Sequence, residues 1–226
     1  MTGSLLEVIA LNVRDAVAAE DGGADRLEIV ADMSVGGLTP APETVAAIAK
    51  KSALPQMVML RSNAGYGVTP EELEGLERDA RVLADAGAAG FVFGFLDEEG
   101  KVDLAATEAL IQAVTPLPWT FHRAVDNAAD VQAGWRAVRL LPNLATVLTS
   151  GDPSGIAAGL PVLRSRAEAG DAPIILAGGG LRPHLVPPLL DYGVRAFHIG
   201  SAARSSWSDP VDAERVRRWR DLVDTI

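Results

Sequence analysis

Asp21-Gly22-Gly23-Ala24-Asp25-Arg26-Leu27-Glu28-Ile29 is the stretch whose reading decides the fold, because its pattern returns twice. The echoes are Asp85-Ala86-Gly87-Ala88-Ala89-Gly90-Phe91-Val92-Phe93 and Asp191-Tyr192-Gly193-Val194-Arg195-Ala196-Phe197-His198-Ile199. Each copy reads as a helix end, a glycine cap that tolerates positive φ, and the start of an apolar strand. Leu27, Phe91 and Phe197 share one position of the alignment, and Ile29, Phe93 and Ile199 share another. Strand side chains alternate, so this bulky face packs outward against helices, and Glu28, Val92 and His198 point inward.

Working outward, further strands are expected at Leu5 to Leu11, Gln56 to Arg61, Pro118 to Arg123, Leu144 to Ser150 and Pro173 to Ala177. The three echo strands run from Ala24 to Val30, Phe91 to Leu96 and Ala196 to Gly200. Helices fill the gaps. Asn12 caps the first, Thr69-Pro70-Glu71-Glu72 is a capping box, Asp103 starts another and a closing helix runs from Asp209. Eight apolar strands, each followed by a helix, in 226 residues match α/β architecture of the (β/α)8 TIM barrel type. Residues 1–226 are expected to form one domain, since no linker or low-complexity tract divides them.

The fifth strand ends the apolar run Trp119-Thr120-Phe121 in His122-Arg123 and, three residues later, Asp126. Chemistry in such barrels sits at the C-terminal tips of the strands. Taken alone, these residues also suit a structural reading, with His122 as a hydrogen-bonded core histidine and Arg123 and Asp126 as an ion pair. Alternation turns Glu7 and His122 inward beside Glu28 and His198, while Arg61 ends the third strand. Unpaired buried charges cost several kcal/mol, so this group either satisfies itself, for example Glu28 to Arg61, or serves a ligand. Glu28, His122, Arg61, Arg123 and Asp126 are the candidate catalytic residues, and His122 and His198 the candidate metal ligands. A second signal is Gly178-Gly179-Gly180 after strand seven with Ser201 after strand eight. Small residues there leave backbone N–H groups free to wrap a phosphate, although glycines also serve tight turns.

Composition narrows the classes. The chain is 48% hydrophobic and 22% charged, with a net charge of -10 and no cysteine. Disulfides, thiolate metal sites and a thiol nucleophile are excluded. A net negative chain offers no basic field to nucleic acid or anionic membranes. No apolar run reaches the roughly 20 residues of a membrane span, and no signal-peptide pattern opens the sequence, so a cytoplasmic protein is expected. Trp135 and Trp219 are candidates for an exposed apolar homodimer face, and could equally pack beneath neighbouring helices.

The motifs resemble the CutC family of copper-homeostasis proteins. The matching runs are Leu6-Glu7, Gly22-Gly23-Ala24-Asp25-Arg26 with Glu28, Gly36-Gly37-Leu38-Thr39-Pro40, Gly94 through Asp97 with Gly100 and Asp103, Thr120-Phe121-His122-Arg123-Ala124 with Asp126, Leu148-Thr149-Ser150-Gly151, and Ala177-Gly178-Gly179-Gly180. The resemblance implies a cytoplasmic (β/α)8 barrel linked to copper tolerance. Two positions depart from the family pattern. Arg61-Ser62-Asn63 stands where Arg-Pro-Arg is common, and Val30 where a cysteine often follows the second-strand glutamate. Without a thiolate, any copper would be held weakly by His122, His198 and Met side chains, or copper would be served indirectly through metabolism. Three functions follow as expectations. They are a copper-homeostasis protein binding metal at the barrel-mouth histidines, an enzyme acting on a small phosphorylated or anionic metabolite, and a barrel without chemistry.

Overall fold

The computed structural model describes residues 3–224. Eight parallel strands close into a barrel in sequence order: β1 (Leu5–Ala10), β2 (Arg26–Ile29), β3 (Gln56–Met59), β4 (Gly90–Phe93), β5 (Trp119–Phe121), β6 (Leu144–Thr149), β7 (Ile175–Ala177) and β8 (Ala196–Ile199). Around them lie α1 (Val13–Asp21), α2 (Pro42–Ala49), α3 (Pro70–Ala86), α4 (Leu104–Val114), α5 (Val131–Val138), α6 (Ile156–Arg166), α7 (Val186–Asp191) and α8 (Ala213–Val223). The expected TIM barrel is therefore observed.

Local chemistry explains the boundaries. Asn12 accepts from the Asp15 N–H, and Thr69 and Glu72 form the reciprocal capping box at the start of α3. Gly23, Gly87 and Gly193 all take positive φ, which is why the triple echo carries glycine just before β2, β4 and β8. Some limits differ from the sequence expectation. β4 stops at Phe93, short of the expected Leu96, and the next residue is a glycine packed so close to the Phe121 ring that a Cβ there would lie 2.7 Å from it. The last helix starts at Ala213, capped by Asp212 rather than opened by Asp209.

The echo alignment sets side-chain direction as expected. Leu27, Phe91, Phe197, Ile29, Phe93 and Ile199 join the large core between barrel and helices. Ile9, Val30, Met57, Met59 and Val92 form a separate cluster, and Leu148, Leu176 and Ala196 another. Each strand that feeds the inner clusters also feeds the outer core through alternate residues, as a barrel strand must. Phe93 stacks on Trp119 with centroids 4.6 Å apart, tying β4 to β5 on the outer side.

Trp135 and Trp219 are only 3% and 6% exposed. The ground for an exposed dimer face at these two positions is thereby removed. Trp135 donates to Asp171 at 2.7 Å and lies under the Arg166 guanidinium, so its amphipathic ring is satisfied inside the protomer. No helix among the described residues is long and apolar enough to cross a membrane.

Candidate functional site

A cavity of about 690 Å³ opens at the C-terminal ends of the strands, within the range of ligand pockets. Glu28, Arg61, His122, Arg123, His198, Gly179, Gly180 and Ser201 line it. Asp126 and Gly178 do not. The sequence reading therefore converges on one place from β2, β3, β5, β7 and β8, with two of its residues displaced.

The floor is a polar chain. Arg26, pointing inward two residues before Glu28, donates from Nε to Glu7 Oε2 at 2.5 Å and from Nη2 to Thr146 Oγ1 at 3.2 Å. Thr146 in turn meets Thr120 at 2.8 Å. On the other side of Glu7, Oε1 lies 2.7 Å from His198 Nδ1, and His198 Nε2 lies 3.7 Å from Glu28 Oε2. The expected structural pairing of Glu28 with Arg61 is not what forms. Arg26 takes the role of buried cation, a residue the sequence reading passed over although the alternation that turns Glu28 inward turns Arg26 inward as well.

These contacts set the ionisation. Burial pushes the Glu7 carboxyl up, but Arg26 and His198 outweigh it and hold Glu7 below the usual carboxylate range. Burial alone would lower the His198 imidazole, yet Glu28 and Glu7 raise it above its ordinary value. Glu28 is 2% exposed and its Oε1 has no hydrogen-bond partner. Burial and the nearby Glu7 charge, opposed by His198, push Glu28 up to about 7. His122 is pushed the other way, down to about 3, first by burial and then by the Arg61 charge. Its Nδ1 accepts from the Ala124 N–H at 3.3 Å, so the single proton of the neutral ring sits on Nε2.

Arg61 reaches the mouth without a carboxylate. Its guanidinium donates to the carbonyls of Val35, Gly37, Ala64 and Gly65, stapling the loops after β2 and β3 together. Among the described residues no acid pairs with it, so it adds a positive charge to the cavity wall while carbonyls take up most of its N–H groups. Arg123 and Asp126 do form an ion pair, at 3.3 Å. Asp126 is fully buried and accepts from Thr149, from the Ser150 N–H and hydroxyl, and from the Gly151 N–H. Its oxygens are taken up in fixing the turn after β6, which places it behind the cavity wall.

The glycine run divides its labour. A Cβ on Gly178 would lie 2.6 Å from Leu148 and 3.1 Å from His198, so this glycine gives packing room inside the barrel. Gly179, at φ 83°, passes beneath Arg123, whose Nε would be 2.7 Å from an added Cβ. The N–H groups of Gly179, Gly180, Ser201 and Ala202 donate to no acceptor among the described residues. The helical starts beside them are three-residue 3-10 turns, Pro183–Leu185 and Ser201–Ala203, so the expected helix-end field is small. Arg204 was also unsignalled in the sequence. It pairs with Asp15 at 3.1 Å and holds its guanidinium 5.0 Å from the Trp207 ring, keeping that indole at the cavity rim.

A model of the CutC family matches residues 4–203. The chain belongs to the CutC family. It is 36% identical over 196 residues to a family protein CutC of Klebsiella pneumoniae, covering 86% of this chain and 79% of that one. The corresponding Citrobacter koseri protein is 36% identical over 203 residues, covering 88% and 81%. A solved Streptococcus agalactiae structure, described as a candidate copper homeostasis protein CutC, superposes with a TM-score of 0.77 at 24% identity, covering 88% and 98%. Phosphoribosyl anthranilate isomerase from Thermus thermophilus shares the barrel at a TM-score of 0.59 and 17% identity, covering 96% and 97%, a likeness of fold alone.

For a CutC chain, copper is the ion against which the donors must be tested. His122 and His198 share the cavity, with the thioether residues Met33 and Met59 also on its wall. Both nitrogens of His198 face carboxylates, and no thiolate exists. No group of three or more His, Cys, Asp or Glu that could hold a metal ion occurs among the described residues. The donors present do not fit tight Cu(I) capture, which calls for soft anionic ligands.

Proposed function

We propose that this CutC protein serves copper homeostasis indirectly, through a small anionic ligand bound at the barrel mouth, in the cytoplasm. The observation that supports the reading is the set of donors and charge on one cavity: an Arg61 guanidinium held by carbonyl oxygens with no acidic partner, and four backbone N–H groups with no acceptor among the described residues. Gly180 and Ser201 are exposed and Gly179 and Ala202 half-buried, so their N–H groups are open to a ligand with acceptor oxygens. Arg61 and Arg123 supply the attraction that the short 3-10 turns do not. Inorganic phosphate alone should bind weakly, and a phosphorylated compound long enough to reach His122 should bind far better.

The test has two arms on the purified protein. In a competition titration, a strong Cu(I) chelator should strip the protein of copper. Thermal melts should rise more with small phosphorylated compounds than with phosphate at equal concentration. Stoichiometric copper retained against the chelator, with no response to any anion, would replace this reading by direct metal binding at His122 with Met33 and Met59.

A further inference from the structure

Glu28 carries more than a ligand contact requires. It is nearly fully buried, lines the cavity, and leaves Oε1 without a partner while Oε2 faces His198. A structural glutamate would have both oxygens satisfied, since a buried unpaired acceptor costs about 1–3 kcal/mol. His122 shows the complementary feature. Its Nδ1 is used, and its protonated Nε2 has no partner among the described residues. A carboxyl with no hydrogen bond to either oxygen and one unpartnered neutral N–H therefore line a cavity that also holds the Arg61 guanidinium.

We propose that Glu28 is a catalytic acid–base group that isomerises a small phosphorylated α-hydroxycarbonyl compound, with the His122 Nε2–H hydrogen-bonded to the carbonyl oxygen. The proposal rests on the anionic-ligand reading above. The Glu28 carboxylate takes the proton from the carbon bearing the hydroxyl. The electrons of that C–H bond form the carbon–carbon double bond of an enediol, and the carbonyl oxygen takes the Nε2 proton. Protonated Glu28 then returns its proton to the former carbonyl carbon. The new carbonyl forms at the neighbouring carbon, whose hydroxyl proton goes back to Nε2. No electrons leave the ligand and no co-reactant is needed.

The surroundings suit both roles. A neutral imidazole polarises a carbonyl without the ion-pair trap an imidazolium would create, a pattern known from other barrels. The charged groups facing Glu28 are His198 from β8, Glu7 from β1 and Arg26 from its own strand. Burial and the Glu7 charge, opposed by His198 and Arg26, bring the carboxyl to about 7, where a general base is most effective. His198, anchored by Glu7, is a positioning residue.

The probes are dihydroxyacetone phosphate and ribose 5-phosphate in deuterium oxide, with proton NMR reading exchange at the carbons flanking the carbonyl. Wild type should catalyse exchange, and Glu28→Gln should lose about 100-fold or more. Glu28→Asp, which keeps the carboxyl but withdraws it, should fall between them. Melting with inorganic phosphate is measured on all three proteins. Equal phosphate responses with no exchange in wild type, or with equal exchange in Glu28→Gln, overturn the proposal and leave the anion site standing. No response to phosphate or to either probe in wild type overturns the ligand reading and this proposal with it. If Glu28→Gln fails to fold, wild-type rates retained by Glu28→Asp overturn the assignment.

Discussion

Glu28→Gln also tests the buried network through stability. In the folded protein Glu28 titrates at about 7, against 4.5 for an ordinary glutamate. Between these values the folded protein keeps a proton that the unfolded chain has released. Its contribution to stability is therefore present in full below pH 4.5 and is lost as pH rises to 7, becoming flat above. At about 1.4 kcal/mol per pH unit, the wild type should lose about 2.5 kcal/mol more than the variant between pH 5 and pH 8. His198, raised by Glu28 and Glu7, loses stability in the same sense as pH climbs above 6.5, and only the part owed to Glu28 differs between the two proteins. His122, held down to about 3, acts oppositely, costing stability as pH falls below 6.5. It is present in both proteins and cancels. Urea unfolding at pH 5, 6, 7 and 8 measures the curves. Parallel curves for wild type and Glu28→Gln would show that Glu28 is ionised in the fold at ordinary pH, and the reasoning from burial would fail.

Three further outcomes are expected. Arg26→Leu should destabilise by about 3–5 kcal/mol in urea unfolding, because Glu7 keeps only His198 as an ion-pair partner, and adding Glu7→Leu should restore much of the loss. Gly159→Ala should cost about 3 kcal/mol or more, since the new Cβ would lie 1.8 Å from the Ser150 carbonyl oxygen and force α6 off the turn after β6. Asp126→Asn should lower stability by about 2 kcal/mol and speed hydrogen exchange at the Ser150 and Gly151 amides, which donate to that carboxylate.

The barrel was legible because its signals are local and repeated. Positive-φ glycines, strand alternation and caps at Asn12, Thr69 and Asp103 each act within a few residues and agree with one another. The same alternation placed Glu28, His122 and His198 on one cavity. What it could not supply was pairing. Whether an inward carboxylate is a reagent or a strut depends on which strand brings its partner at the same height, and that follows from the closed register, where Glu7 stands beside Arg26 on one side and His198 on the other. Asp126 shows the limit in sequence terms. Its spacing from His122 resembles a catalytic cluster, but its carboxylate is consumed by a turn 23 to 25 residues away.

The distinction between strut and reagent can be argued from saturation. Asp126 accepts from several donors and has no free valence, so its energy is spent inside the fold. Glu7 is held by a cation and an imidazole and is likewise committed. Glu28 sits next in the same chain of contacts but lacks the last partner. Moving along the row from Arg26 to Glu7 to His198, each group is hydrogen-bonded to the one before it, whereas Glu28 meets His198 only at 3.7 Å and keeps both oxygens free of hydrogen bonds. A row that commits three groups and leaves the fourth without a hydrogen bond is the arrangement on which the proposed proton-exchanging role of Glu28 rests. That arrangement ties the buried charges of the barrel floor to the chemistry of its mouth, and it predicts that cutting the row at Arg26 weakens the fold before it changes what the cavity binds.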